Sequence, residues 1–202
     1  MAKIPRDVLK KIGMDSASAL RPQFEKIVVK RFESVKQQMI REFLNHPVTI
    51  EIKNGPKAEN TSGTLGGFGN LFSYIGFPAG EDPTEAVLDQ FNKTTIRFNG
   101  LIEGGANWLI FMPAREDIWA ASPMPWAPGR SWVRGIETGI SGIGQYLYDE
   151  TGELDNSRSG TAIQTSSKLR KKNRFKNVKY MSTILAKYQE KFSQLNETSI
   201  PT

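Results

Sequence analysis

The side chains that could do chemistry in this 202-residue chain are few and scattered. There is no cysteine, which removes a disulfide framework, a thiolate metal site and a cysteine nucleophile. His46 is the single histidine, so a Ser-His-Asp relay, imidazole acid–base catalysis or a histidine-rich zinc site would all have to turn on it. It stands just before Pro47 at a predicted helix end, where an imidazole meets the negative end of the helix dipole, and this marks it as a capping or surface residue. Carboxylates gather at Glu81, Asp82, Glu85 and Asp89, and again at Glu116, Asp117, Asp149, Glu150, Glu153 and Asp155. The last of these have a calcium-loop composition without the alternating Asp/Asn pattern or the closing Glu, which reads as a solvated acidic turn. Nothing in their spacing supports a two-carboxylate glycosidase. The run Gly63-Thr64-Leu65-Gly66-Gly67-Phe68-Gly69 invites a phosphate-loop reading but lacks the Gly-Lys-Ser/Thr ending and a clean strand-to-helix setting. Gly139 to Gly144 lacks the strand that a dinucleotide fingerprint follows. The expectation is a chain that is not an enzyme, with no cofactor, no metal and no small-molecule substrate.

Basic chemistry is the stronger signal. The segment KLRKKNRFKNVK, residues 168–179, has seven lysines and arginines in twelve positions and no acid. Self-repulsion keeps such a run exposed, and Lys168, Arg170, Lys171, Lys172, Arg174 and Lys176 are its candidate contacts to an acidic partner or to phosphate. Three readings stand: phosphate-backbone contact, docking on an acidic protein surface, and a solvated connector. Phe175 alone is available for base stacking, and docking on a neighbouring subunit is the preferred reading. Residues 1–154 carry 17 basic and 18 acidic side chains, whereas residues 155–202 carry 10 and 3, which puts −1 on the body and +7 on the C-terminal quarter. That asymmetry points to a polyanionic or acidic partner.

The elements that would position these groups are legible in the hydrophobic spacing. After a short amphipathic opening turn, Phe24, Val28, Phe32, Val35, Met39 and Phe43 fall at steps of four, four, three, four and four, one face of a helix from Ser18 to Asn45. Ser18 is placed to cap it, Pro22 sits in its first turn, and His46-Pro47 stops it. Val48, Ile50 and Ile52 then alternate with Thr49, Glu51 and Lys53, which predicts a strand with one wet face. Residues 57–80 are glycine-rich yet carry Leu65, Phe68, Leu71, Phe72, Tyr74, Ile75 and Phe77. They predict a loop leading into a short helix or docking arm, whose aromatics need the core or a neighbouring subunit to cover them. Asp82-Pro83-Thr84-Glu85 opens a short helix to about Asn92. TTIRFNGLIEGGANWLIFMP predicts a hairpin about Gly104-Gly105, completing a three-stranded antiparallel sheet for the long helix to cover. Trp132, Ile136, Ile140, Ile143 and Leu147 suit a further helix. Gly135, Gly139, Gly142 and Gly144 would cost it up to about 1 kcal/mol each relative to alanine unless a close contact compensates. Residues 149–167 are a polar connector, and Met181, Ile184, Leu185, Tyr188 and Phe192 mark a closing amphipathic helix that needs a partner surface.

The expected architecture is therefore α+β: a long N-terminal helix packed on a small antiparallel sheet, a further helix after the sheet, and a basic C-terminal extension ending in a helix. Residues 1–154 form the predicted core domain, with the apolar Gly-rich arm at 57–80, and residues 155–202 the extension. No stretch approaches the roughly 18 consecutive apolar residues of a membrane span, and no apolar segment follows the basic N-terminus, so the chain is expected to be made in the cytoplasm without membrane contact.

The order of elements carries a resemblance. A long amphipathic helix, then the predicted strand, precedes Thr61-Ser62-Gly63-Thr64-Leu65, followed by a hairpin and then Pro125-Trp126-Ala127-Pro128-Gly129-Arg130-Ser131-Trp132-Val133-Arg134-Gly135-Ile136. Over about residues 18–148 this resembles the tail-completion, or neck, proteins of tailed bacteriophages, which join head to tail. Thr61, Gly63 and Leu65 match that family's Thr-x-Gly-x-Leu segment, and Pro128, Trp132, Val133 and Arg134 its proline-aromatic-Leu/Val-Arg motif. Asn60 stands where the family has Asp, an extra serine and glycine loosen the spacing, and the basic extension has no counterpart in the short members. The resemblance implies a non-catalytic virion subunit, forming a ring with copies of itself and touching other neck, connector and tail proteins, with DNA contact possible. On that expectation Phe68, Phe72, Trp126, Trp132 and Arg134 are candidate subunit-interface residues, large aromatics and Arg being the side chains that dominate interface energetics. The two tryptophans could equally belong to the chain's own core. A basic nucleic-acid-binding accessory protein is the alternative.

Overall fold

A computed structural model of the chain describes residues 6–67, 69–102, 105–140 and 175–197. The fold is mixed helix and sheet. Helix α1 spans Arg6–Leu44, α2 Pro47–Lys53, α3 Leu71–Ile75 and α4 Glu85–Asn92; strands β1 (Thr95–Ile102) and β2 (Gly105–Phe111) follow. After them come α5 (Arg115–Ala120), a short ribbon of β3 (Pro123–Met124) and β4 (Ala127–Ser131), α6 (Trp132–Thr138) and α7 (Met181–Glu197).

Helix α1 is longer at its N-terminus than the spacing predicts. Ser18 lies inside it and caps nothing, and Pro22 is an interior residue. One proline removes one backbone hydrogen bond and does not end a helix that good formers such as Ala17, Ala19 and Lys11 continue on its far side. The predicted apolar face holds: Phe32, Met39 and Phe43 are buried, with Val35 packed against them.

Residues 48–52 are helix, not strand, so the predicted three-stranded sheet is a two-stranded one, β1 antiparallel to β2. The cause is local. His46 in extended conformation caps the turn, its Nδ1 accepting from Val48 N at 3.3 Å, and Pro47 is pre-set for the first helical position. Val48 and Ile52, four apart, then fall on the core face while Ile50 turns outward. Thr49 and Glu51, the expected wet face, are wholly buried. The capping prediction for His46 is met at a different place: it starts α2 rather than closing α1.

The hairpin, the short helix at 85–92 and the closing helix all form where the sequence places them. Gly100 (φ 120°) follows an irregularity in the ladder beyond Phe98, which pairs with Trp108. The helix expected from Trp132 onward stops at Thr138, because Gly139 takes φ 102°, a conformation L side chains avoid. Ile143 and Leu147 lie outside the described residues. Gly135 does have the implied close contact, inside the chain: a Cβ there would stand 2.7 Å from Met124 Cε and 2.9 Å from Ile140 Cγ1.

Helix α7 packs antiparallel to α1. Phe192 meets Phe32 with ring centroids 5.5 Å apart, and Tyr180 meets Phe43 at 6.3 Å. Glu42 accepts from Lys187 Nζ at 2.6 Å and from Tyr188 OH at 2.8 Å. Partial burial raises the Glu42 carboxyl, but these two donors outweigh it and hold the pKa below the ordinary value. Burial, aided by the Glu42 carboxylate, pushes the Tyr188 hydroxyl up. Glu137, from α6, accepts from the backbone N–H groups of Tyr180 and Ser182, which puts a carboxylate at the positive end of α7. Tyr180, Met181, Ile184, Leu185, Tyr188 and Phe192 thus share one core with α1, α2, α4 and α6. The predicted division at residue 154 does not separate this helix from the body; it is part of the core that the body needs.

Candidate interface surfaces

Four places gather the candidate residues. The first is the Thr-x-Gly-x-Leu segment, which wraps a buried carboxylate. Glu51 Oε1 accepts from Leu71 N at 2.7 Å and Asn60 Nδ2 at 2.8 Å, and Oε2 accepts from Ser62 N at 2.9 Å. Asn60 Oδ1 in turn accepts from Leu65 N and Gly67 N. A buried carboxylate is tolerated when such donors replace its water, and Leu71 offers the positive end of α3. The glycines serve this wrap: Gly63, Gly66, Gly67 and Gly69 all take positive φ. Donors that a phosphate would need are thus occupied by the chain's own Glu51 and Asn60. Lys176 joins here through its backbone, donating to Thr64 O at 2.9 Å, while its side chain is exposed.

The second place is a cleft of about 930 Å³ between α5, the β3–β4 ribbon and α6. Ser122 and Ser131 share a 2.7 Å hydroxyl contact at its base, and Ser131 caps α6 by accepting from Arg134 N. Arg134 is exposed, its guanidinium 5.0 Å above the Trp119 ring, and Arg130 lies 5.7 Å over Trp126. Trp126 is half-buried and donates from Nε1 to Ile75 O at 2.7 Å.

Of the five candidate anchors, Phe72 and Trp132 are therefore corrected: both are wholly buried in their own chain, Trp132 between Phe77 and Tyr180. A short apolar arm that can close over its own core gains the same burial there without a partner. Trp126 and Arg134 remain accessible, and Phe68 lies outside the described residues. So do Lys168, Arg170, Lys171, Lys172 and Arg174, leaving Lys176 as the only described member of the basic set.

The chain has no match among family models, curated proteins or solved structures. Its surfaces therefore have to be read on their own chemistry. Among the described residues, no three His, Asp or Glu side chains are grouped to hold a metal, and no helix is long and apolar enough to cross a membrane.

The third place is one that the spacing argument missed. Along residues 11–31, about 30 Å of α1, no described side chain is fully buried; Phe32 is the first. Leu20 and Ile27 are 42% and 50% exposed; Leu20 stands one turn before Phe24, and Ile27, seven residues after Leu20, has Lys30 and Arg31 three and four residues on, along one edge of the Phe24–Phe43 face. The hairpin lies against this part of α1, with Arg21 stacked 4.0 Å over Phe98. Its outer face shows Leu109 and Phe111 at 44% and 49% exposure, with Arg97 5.4 Å over Phe111. The fourth place is acidic. On α4, Glu85 and Asp89 stand one turn apart and exposed, opposite the buried Val87 and Phe91, with Glu81 just before them. Helix α5, which touches α4, adds Glu116 and Asp117 beside Arg115.

Proposed function

We propose that this chain is a non-enzymatic virion structural protein, a ring-forming subunit at the head-to-tail junction of a tailed bacteriophage. The observation that carries the reading is the α1–hairpin arm, which presents Leu20, Ile27, Leu109 and Phe111 to solvent. Scattered apolar residues need no explanation, but a helix flank and a strand face together mark a surface that another protein covers. The order of the two short motifs supports the phage assignment, and the Glu51-centred wrap gives the first motif a structural purpose that a non-catalytic subunit needs. Its location would be the virion, after synthesis in the host cytoplasm, and its partners copies of itself and neighbouring neck, connector or tail proteins.

Electron micrographs of the purified full-length chain at micromolar concentration test this reading. Closed rings of one diameter are expected. Single particles of monomer mass at every concentration, with purified connector and tail components present or absent, would contradict it.

A second reading, a basic nucleic-acid-binding accessory protein, is favoured by the +7 charge of residues 155–202. It expects retention of labelled duplex DNA that falls steeply as salt rises. Lack of binding at low salt removes it.

A further inference from the structure

We propose that the basic flank of α1 docks head to tail on the acidic face of α4 and α5 of a second copy of this chain. The inference rests on the ring-subunit reading and names the two surfaces that would build the ring.

The charges on the two surfaces are opposite. Residues 11–31 carry Lys11, Arg21, Lys26, Lys30 and Arg31 against Asp15 and Glu25. Residues 81–89 carry Glu81, Asp82, Glu85 and Asp89 with no basic residue. Lys26, Lys30 and Arg31 are exposed on one part, and Glu81, Glu85 and Asp89 on the other. Among the described residues none of these six has an ion-pair partner within 4 Å; the Lys187–Glu42 bridge lies elsewhere. Among the described residues, each copy therefore offers both halves of a contact that it does not make with itself.

The chemistry of the flank favours a protein occupant over a nucleic acid. Leu20 and Ile27 lie on the same edge of α1 as Lys30 and Arg31, and a phosphate backbone offers nothing to cover them, whereas a protein surface with the exposed Ala86 beside Glu85 and Asp89 does. Because the two surfaces differ, the contact is heterologous, and successive copies related by one rotation close into a ring when that rotation divides a full turn. Unlike an isologous pair of like-charged arms, this arrangement brings opposite charges together at every interface.

The test uses sedimentation velocity of the full-length chain in three variants. K26E/K30E/R31E and E81K/E85K/D89K should each raise the concentration needed for assembly by at least about tenfold, with circular dichroism and thermal midpoint unchanged as the check on folding. The chain carrying all six changes should assemble at close to the wild-type concentration, since arm and face have exchanged sign. Loss of assembly in the six-fold variant, or wild-type assembly in both triple variants, overturns the proposed contact while leaving the ring reading standing. Wild-type chain that never assembles overturns both. If the arm triple variant assembles normally but loses duplex DNA retained at low salt, the arm is a nucleic-acid surface and the contact is likewise overturned.

Discussion

The two ends of α1 are built from one continuous helix and one apolar periodicity, yet they live in different solvents. From Phe32 to Phe43 the apolar face is closed by α7, α4 and α2, with Phe43 set against Phe91 at 5.3 Å and Phe32 against Phe192 at 5.5 Å. From residue 11 to 31 the hairpin lies against it, and Leu20 and Ile27 are exposed. The described core closes over α1 from Phe32 onward, so the far end takes less of its stability from burial, with the hairpin packed along it. The closed end shows what the chain buries for itself, and the open end is the surface that the proposed contact would cover.

The contrast can be broken most forcefully at the closed end. Phe43→Ala should cost about 3–5 kcal/mol in urea unfolding, because it empties a site enclosed on all sides. Glu51→Ala should cost about 2–3 kcal/mol by stranding the N–H groups of Ser62 and Leu71 in a buried setting, and Glu51→Gln should recover part of that, since its carbonyl oxygen still accepts. A similar loss in both variants would show that the negative charge, not the acceptors, holds the wrap.

A smaller effect is expected from pH. Burial lowers the His46 pKa below its ordinary 6.5, with Glu42 partly opposing. The unfolded chain then takes its proton first, so the contribution of neutral His46 is fully present above pH 6.5 and falls away as the pH drops through that value and below. Protonation would also remove the acceptor that Nδ1 offers to Val48 N. As the chain has one histidine, its ring signals in a proton NMR titration report the value directly. A midpoint at or above 6.5 would contradict the burial argument. The smallest effect belongs to the open end: Ile27→Ser should change the stability of the dilute chain by no more than about 0.5 kcal/mol, measured beside Phe43→Ala in the same urea series.

How much of this was legible in the sequence depended on whether packing or local pattern decided each element. The α1 face, the hairpin, α4 and α7 follow from spacing alone, because their apolar period matches the surface that buries them. Residues 48–52 did not, since alternation of Val, Ile and Ile fits a strand, whereas the His46 cap with Pro47 starts a helix and partners nine to twenty residues later take up the Glu51 carboxylate inside the fold. The destination of α7 was likewise hidden: the pattern showed a face needing a partner, and the partner is α1 of the same chain. Trp132 and Phe72 read as anchors because size and type suit an interface, and nothing local states that Tyr180 closes over Trp132 from nearly fifty residues away. The open flank of α1 was illegible for the opposite reason. Leu20 stands one turn before Phe24 and Ile27 to the side of the stripe, and their exposure is known only once the end of the core is known. The acidic face was visible as composition, but that no described side chain pairs with Glu81, Glu85 or Asp89 is read only from the structure.

Hydrogen exchange read peptide by peptide along α1 and α4 tests the central claim most directly, at one dilute and one concentrated condition. Uncovered in the single chain and covered in the assembly, residues 11–31 and 81–89 should exchange at least tenfold more slowly on concentration, while residues 32–44 stay equally protected in both. Identical exchange of residues 11–31 and 81–89 at the two concentrations, in a chain shown by mass to have assembled, would contradict it.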